Sequence, residues 1–526
     1  MEATAVIALI VIALLAGATA LTVRVHDLLA RADYREALVV MHRPLDLDPL
    51  VGRDDPAVRD LGQLLYRSLA GLGSDTYPVP DLAKSITVSP DGLAYHVMLN
   101  AAKWSDGRAI GTADVVATVT AVQARGFADR ALAGQWQGVI VSATADAMDF
   151  KLPAPRAGFN TALAQLPIMP LAGSNAQHLA NLGADAITPL PTSGAYRVTR
   201  ADANAIELEG NPQAVSLSAV HSIEFLLEPT FEAAATALSS GAVDGVMATD
   251  PAERSRLAAM GGVSVHDITT FRFVDLLFNE RVAGLDDPAV RHALGLAVDE
   301  SALRSSIGTG TSAAQNGPIP AGIAWATSAS VMKANPAAAV AALRATGWTL
   351  GADSRWTKSD ESLVFRLFTP DSSPLRDVAH LIAQQLAGID VVVNVVPVAA
   401  STYLQNIIDN HGFDMAIADW DNGPDPDVSS YWRSNAGPPA GFSVSGAATD
   451  PFLDQALDAL ATLSDRADRI AAANRVTTQL DSAVPAVFLY APTVSFAVRD
   501  ATITVAVPTT GGSAARFADI ATWRRR

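Results

Sequence analysis

The chain has no cysteine in its 526 residues. That absence removes disulfide frameworks, thiolate zinc sites, CxxC redox centres and cysteine nucleophiles together. It also removes the acceptor for a lipid on an N-terminal cysteine. Basic residues are scarce: Lys+Arg total 37 against 54 Asp+Glu, a formal charge of −17. The one basic run is Arg524, Arg525 and Arg526, so no surface for nucleic-acid phosphates is encoded and no nucleic-acid partner is expected. The nine histidines are dispersed, with no two within four residues, and the HxH and HExxH spacings are missing. No GxSxG elbow or GxxxxGK[ST] phosphate loop occurs, and Gly308-Thr309-Gly310 lacks the third glycine of a dinucleotide fingerprint. Catalysis, a metal centre and a bound cofactor are therefore left without a motif, and the expectation is a protein that is not an enzyme and carries none of them.

What is present is a folded chain. Hydrophobic residues make up 49% and charged residues 17%, which excludes disorder, and the length suits two to four domains. Ala3 to Val23 is an uncharged run of 21 residues, about the ~20 that span a bilayer as a helix. It reads as a signal peptide, with Ala18-Thr19-Ala20 as cleavage site, or as an uncleaved anchor. Glu2 in place of a basic n-region favours the anchor, whereas Arg24, Arg31 and Arg35 after the run oppose it. Beyond it, strand and helix patterns alternate. Strands are predicted at 36–41, 95–100, 195–198, 205–208 and 223–227, and helices at 56–72, 112–122 and 231–240. The pattern restarts near 270, with strands at 274–278, 363–368, 391–396, 413–418, 487–489 and 503–505. Helices are expected at 288–298, 337–345, 375–387, 403–408 and 452–480. This alternation argues for α/β lobes, and the restart for a second large one.

Residues 80 to 118 carry a more specific signal. A Pro-Asp-Leu-Ala segment leads into a strand, a Ser-Pro-Asp-Gly turn and a second strand, then Lys-Trp-Ser-Asp-Gly and a Thr-Ala-Asp-Val helix start. Further along stand Asp46 to Pro49 (DLDP), Ser193 to Val198 (SGAYRV), Asn211-Pro212, Phe278-Asn279, Asp287 to Asp299 (DPAVRHALGLAVD) and Phe413 to Pro426 (FDMAIADWDNGPDP). In this order, the pieces resemble the extracytoplasmic solute-binding proteins of ABC importers, family 5, which include dipeptide-, oligopeptide- and nickel-binding proteins. The resemblance covers nearly the whole chain after residue 36.

It implies an α/β, two-lobed periplasmic-binding-protein-like fold of the class II, cluster C type, with an extra inserted domain, following the N-terminal apolar helix. Residues 1–35 would be signal or anchor plus linker; 36–74, 190–270 and 496–526 lobe I; 75–189 the insert; 271–495 lobe II. A ligand would be held between the lobes and buried by hinge closure. The resemblance also implies a monomer outside the cytoplasm that captures a short peptide or other small solute and presents it to an ABC permease. The same scaffold could serve a metal chelate or sugar, or regulate a partner without transport.

The implied site residues each have a plainer alternative. Asp421, after Trp420, matches a family aspartate that pairs with a peptide's α-ammonium group, with Asp419 and Asp425 as substitutes. Alternatively Asp421 only opens an Asp-Asn-Gly turn with Asn422. Trp420 lines the cleft or packs in the core. Arg376 matches an arginine that meets a ligand carboxylate, or is an exposed helix residue beside Asp377. Tyr403 borders the cleft or belongs to the lobe core. Asn279 is expected at the hinge, and Trp104 and Asp106 in a structural turn of the insert.

Overall fold

The computed structural model describes residues 32–526 apart from 53–54, 174–189, 215–218, 309–311, 321, 324, 326–331, 409, 435–443 and 447–449. The apolar run expected to be a helix at 3–23 lies outside the described residues. Among the described residues, no helix is long and apolar enough to cross a membrane.

A twelve-stranded sheet runs through both lobes. In spatial order its main path is Val392–Val398, Val364–Pro370, Met415–Asp421, Arg272–Phe278, Ala486–Arg499, Gly245–Ala248, Tyr34–Val39, Ser222–Glu228, Ala205–Gly210 and Tyr196–Ala201. The 14-residue strand Ala486–Arg499 joins the halves. Its first part pairs with Arg272–Phe278 in lobe II, and its last part with Gly245–Ala248 and Val263–Thr269 in lobe I. The lobes thus share two crossing strands, which meet where the Thr270 N–H and hydroxyl both donate to the Pro492 carbonyl, at 3.0 and 2.8 Å. This is the mixed α/β, two-lobed architecture expected from the resemblance.

A second sheet of four strands, Ala83–Val88, Ala94–Leu99, Ala147–Lys151 and Ile140–Ala143, stands apart from the large one. Its hairpin turns at Ser89 to Gly92 as the residue types require: Gly92 takes a φ of 68°, and the Asp91 carboxylate accepts from the Leu93 N–H. Trp104 is fully buried and its indole donates to Asp114, while Asp106 folds its own turn by pairing with Arg108.

Several element boundaries differ from the sequence expectation. The helix expected over 56–72 starts at Pro56, capped by Asp55, but ends at Leu65. Tyr66 is extended there and a short strand, Ala70–Leu72, follows. The stretch 452–480 is two helices, Pro451–Thr462 and Arg466–Ala483, the second capped by Asp465. Strand Ala486–Arg499 is far longer than the 487–489 segment predicts, whereas Arg272–Phe278 exceeds 274–278 by two residues at its start.

Candidate functional site

Strands Val364–Pro370 and Met415–Asp421 run parallel, so their carboxyl ends face the same way, towards the lobe crossing. In open α/β sheets the crevice outside such strand ends is where ligands bind. Arg272, first residue of the neighbouring antiparallel strand, is brought directly opposite Asp421. Alternation along these strands sorts the side chains. Arg272, Asp419 and Asp421 share one face, while Phe273, Asp275 and Trp420 share the other.

The three aspartates have different partners. Asp419 receives a two-pronged bond from Arg272, Nε to Oδ1 at 3.1 Å and Nη2 to Oδ2. Burial pushes its carboxyl up, and the Arg272 guanidinium pulls it down. Asp425 receives Arg469 through Nη1 at 3.2 Å and Nη2 at 2.8 Å, and the Thr161 hydroxyl at 3.0 Å. Thr161 lies on helix Phe159–Gln165, so Asp425 ties that helix to lobe II. Asp421 is exposed and outside any described ion pair; its Oδ1 accepts from the Gly423 N–H at 3.1 Å. The Asp-Asn-Gly turn is therefore formed, yet the carboxylate keeps most of its acceptor capacity. Asn422 turns inward and donates to the Asp425 carbonyl.

Trp420 is buried, donates its indole N–H to Asp275 at 3.1 Å, and packs on Tyr431 with ring centroids 4.7 Å apart. The Tyr431 hydroxyl donates to the Asp421 carbonyl at 3.3 Å. Arg376 sits in the first turn of helix Leu375–Ala387, just beyond strand Val364–Pro370. It is half-buried and paired with Asp371 at 2.7 Å. Trp420, Asp421, Asn422 and Arg376 thus gather at one end of the sheet.

Two expected residues do not join them. Tyr403 is in the lobe core, with its hydroxyl between the carbonyls of Phe368 (3.1 Å) and Ile417 (2.8 Å), which uses up its one proton. Asn279 is not at the crossing. It lies beyond the opposite end of Arg272–Phe278, roughly 23 Å along the strand at ~3.3 Å per residue. There its amide donates to the carbonyls of Phe413 (2.7 Å) and His411 (3.2 Å). The crossing point itself is Thr270 and Pro492.

Sequence reasoning did not single out Arg272, Asp275, Tyr431 or Tyr490. Tyr490 is buried with no hydrogen-bond partner for its hydroxyl; burial and the Asp419 charge push that hydroxyl up, and Arg272 opposes them. Asp275 left one visible signal, an acidic residue inside the otherwise apolar run Phe273 to Phe278.

A family model for bacterial extracellular solute-binding proteins, family 5 middle region, matches residues 77–442. The chain belongs to this family. As a family 5 protein it is a substrate-binding protein of the ABC-importer type, and its place is outside the cytoplasm; the family is one of binding proteins rather than enzymes. A Brucella ovis protein named as an ABC transporter peptide-binding protein is 27% identical over 408 residues, 74% of each chain. The Salmonella typhimurium peptide transport periplasmic protein SapA is 32% identical over 167 residues, 30% of this chain and 27% of SapA. Among solved structures, the nickel ABC transporter from Bacillus halodurans matches with a TM-score of 0.77 at 18% identity, covering 91% of this chain and 99% of that one. The oligopeptide-binding protein AppA from Bacillus subtilis, in complex with a nonapeptide, matches at 0.65 and 20% identity, covering 94% and 100%. At those identities the structural likeness concerns the fold.

Proposed function

We propose that this family 5 protein is a monomeric receptor for short peptides, closing its lobes on them and delivering them to an ABC permease. The observation that carries the reading is the contrast among the three aspartates. Asp419 and Asp425 are engaged by arginines, while Asp421 presents an exposed carboxylate at the strand ends. A peptide's α-ammonium group is a suitable partner for it, giving a charge-assisted bond as the closing cleft excludes water. Arg376 could exchange Asp371 for a ligand carboxylate, since its fork suits a bidentate acceptor. The Brucella ovis relative's name supports a peptide as the solute. In this reading 36–74, 190–270 and 496–526 form lobe I, 75–189 the insert and 271–495 lobe II.

A second reading, a metal chelate, is favoured by the likeness to NikZ from Campylobacter jejuni in complex with Ni(L-His), with a TM-score of 0.69. Purification without denaturant, mass spectrometry of released small molecules, and a thermal-shift screen of di- to pentapeptides against nickel–histidine separate the two. The peptide reading predicts a released peptide and a raised melting temperature with peptides, a ligand at 100 times Kd contributing about 2.7 kcal/mol. A shift with nickel–histidine alone would give the site to a chelate. No released ligand and no shift would favour a scaffold without transport.

A further inference from the structure

Asp275 stands in the middle of lobe II with no solvent exposure. Its Oδ2 accepts from the Trp420 indole at 3.1 Å, and its Oδ1 has no hydrogen-bond partner. Among the described residues, its surroundings come from two neighbouring strands and two tyrosines. Strand Met415–Asp421 presents Ala418 directly opposite, with Trp420 beside it and the Asp419 carboxylate on the far face. Strand Ala486–Arg499 presents Phe488. Tyr403 and Tyr431 lie near it, but their hydroxyls are directed at the carbonyls of Phe368 and Ile417 and of Asp421. No described cation compensates it.

An unpaired carboxylate at such a depth would be costly. Burial instead pushes the Asp275 carboxyl well above the usual carboxylate range, against the smaller opposing pull of the Trp420 hydrogen bond. A protonated carboxyl still accepts the indole bond through its carbonyl oxygen, so the hold on Trp420 does not depend on the charge.

We propose that Asp275 is a positioning residue for the ligand site: its carboxyl fixes the Trp420 indole, Trp420 fixes the Tyr431 ring, and the Tyr431 hydroxyl fixes the main chain of Asp421. The chain of contacts is continuous, at 3.1 Å, 4.7 Å between centroids and 3.3 Å. It leads from a fully buried group to the one of the three aspartates 419, 421 and 425 that is outside any described ion pair. The last link, from a placed Asp421 to ligand affinity, rests on the peptide reading above; the earlier links do not.

The proton has a thermodynamic consequence with a definite sign. Folding retains a proton that the unfolded chain loses above the ordinary carboxylate pKa, so this group's contribution is most favourable at low pH and diminishes as pH rises. Asp275→Asn has no proton to lose. The variant is expected to gain melting temperature over the wild type at pH 8 and to gain less at pH 5.

The test uses the full chain labelled with 15N at tryptophan, with the Trp420 indole resonance assigned through Trp420→Phe. Asp275→Asn, which keeps an acceptor, should preserve that resonance and its protection from exchange. Asp275→Leu, which packs without one, should shift it and speed its exchange at least about tenfold, equivalent to ~1.4 kcal/mol of lost protection. A resonance indifferent to Asp275→Leu overturns the proposal. Calorimetry with trialanine then tests the last link. Asp275→Leu should bind about tenfold more weakly than wild type and Asp275→Asn within about twofold. Equal binding by the Leu variant contradicts positioning. A wild type that does not bind trialanine counts against the peptide reading, while the resonance still decides the role of Asp275.

Discussion

Arg516→Ala is expected to lower the unfolding free energy by about 3–5 kcal/mol, the usual result of removing one partner from a buried ion pair. Arg516 has no solvent exposure and is held by two carboxylates. Its Nε and Nη2 donate to Glu36 Oε1 at 2.9 and 2.6 Å, and its Nη1 donates to Asp60 Oδ2 at 2.5 Å. The ring of Phe517 lies 4.1 Å beneath the guanidinium. Tyr34 donates to the other Glu36 oxygen at 2.7 Å, and Ser513 to Asp60 at 2.6 Å. One side chain near the C-terminus thereby fastens strand Tyr34–Val39 and helix Pro56–Leu65 to the turn Ser513–Phe517. Burial pushes the Glu36 carboxyl up, with Arg516 pulling it down. Without Arg516, Glu36 would have to take a proton or draw in water. Arg516→Lys keeps the charge but loses the fork, so it should fall between wild type and alanine. Urea unfolding followed by far-ultraviolet circular dichroism measures all three; an alanine variant within about 0.5 kcal/mol of wild type would show that the network adds nothing.

Asp425→Ala should be nearly as costly, again about 3–5 kcal/mol, because Arg469 would be left as a buried cation. Arg469 keeps a bond to the Leu460 carbonyl and a stacking contact 4.8 Å from the Trp325 ring, which are too little to compensate the charge. The loss also cuts the tie to Thr161, leaving nearby links such as the Ala157 N–H on the Ala461 carbonyl at 2.8 Å and the Arg466–Asp75 ion pair at 2.7 Å. Asp425→Ala combined with Arg469→Leu removes both charges and should recover most of the stability. A double variant no more stable than Asp425→Ala would refute the charge-pair explanation.

The features legible in the sequence were local ones. The Ser89–Gly92 hairpin, the Asp55-Pro56 helix start and the helix Phe231–Ser240 follow from turn, cap and periodicity signals within a few residues. Strand Ala486–Arg499 was not legible at its full length. Pro492, Thr493 and Ser495 interrupt its apolar run, and its three longer partner strands lie more than 200 residues away in sequence. The same distance hides the site's electrostatics. The composition of Asp419 to Asp425 shows four candidate carboxyl or amide groups, but only the fold brings Arg272 and Arg469 to two of them. Tyr403 could not be assigned from its own neighbourhood, since the carbonyls that hold its hydroxyl belong to two other strands. Asn279 was misplaced because the end of a strand and the crossing of two lobes look alike in sequence.

The most direct test of the account is titration calorimetry of wild type and Asp421→Ala with a peptide that the thermal-shift screen identifies. Loss of a charge-assisted bond to the ammonium group should weaken binding by about 1.5–3 kcal/mol, roughly ten- to a hundredfold, with unfolding stability unchanged. Equal affinity for the two proteins would contradict the assignment of Asp421 as the ligand's anchor.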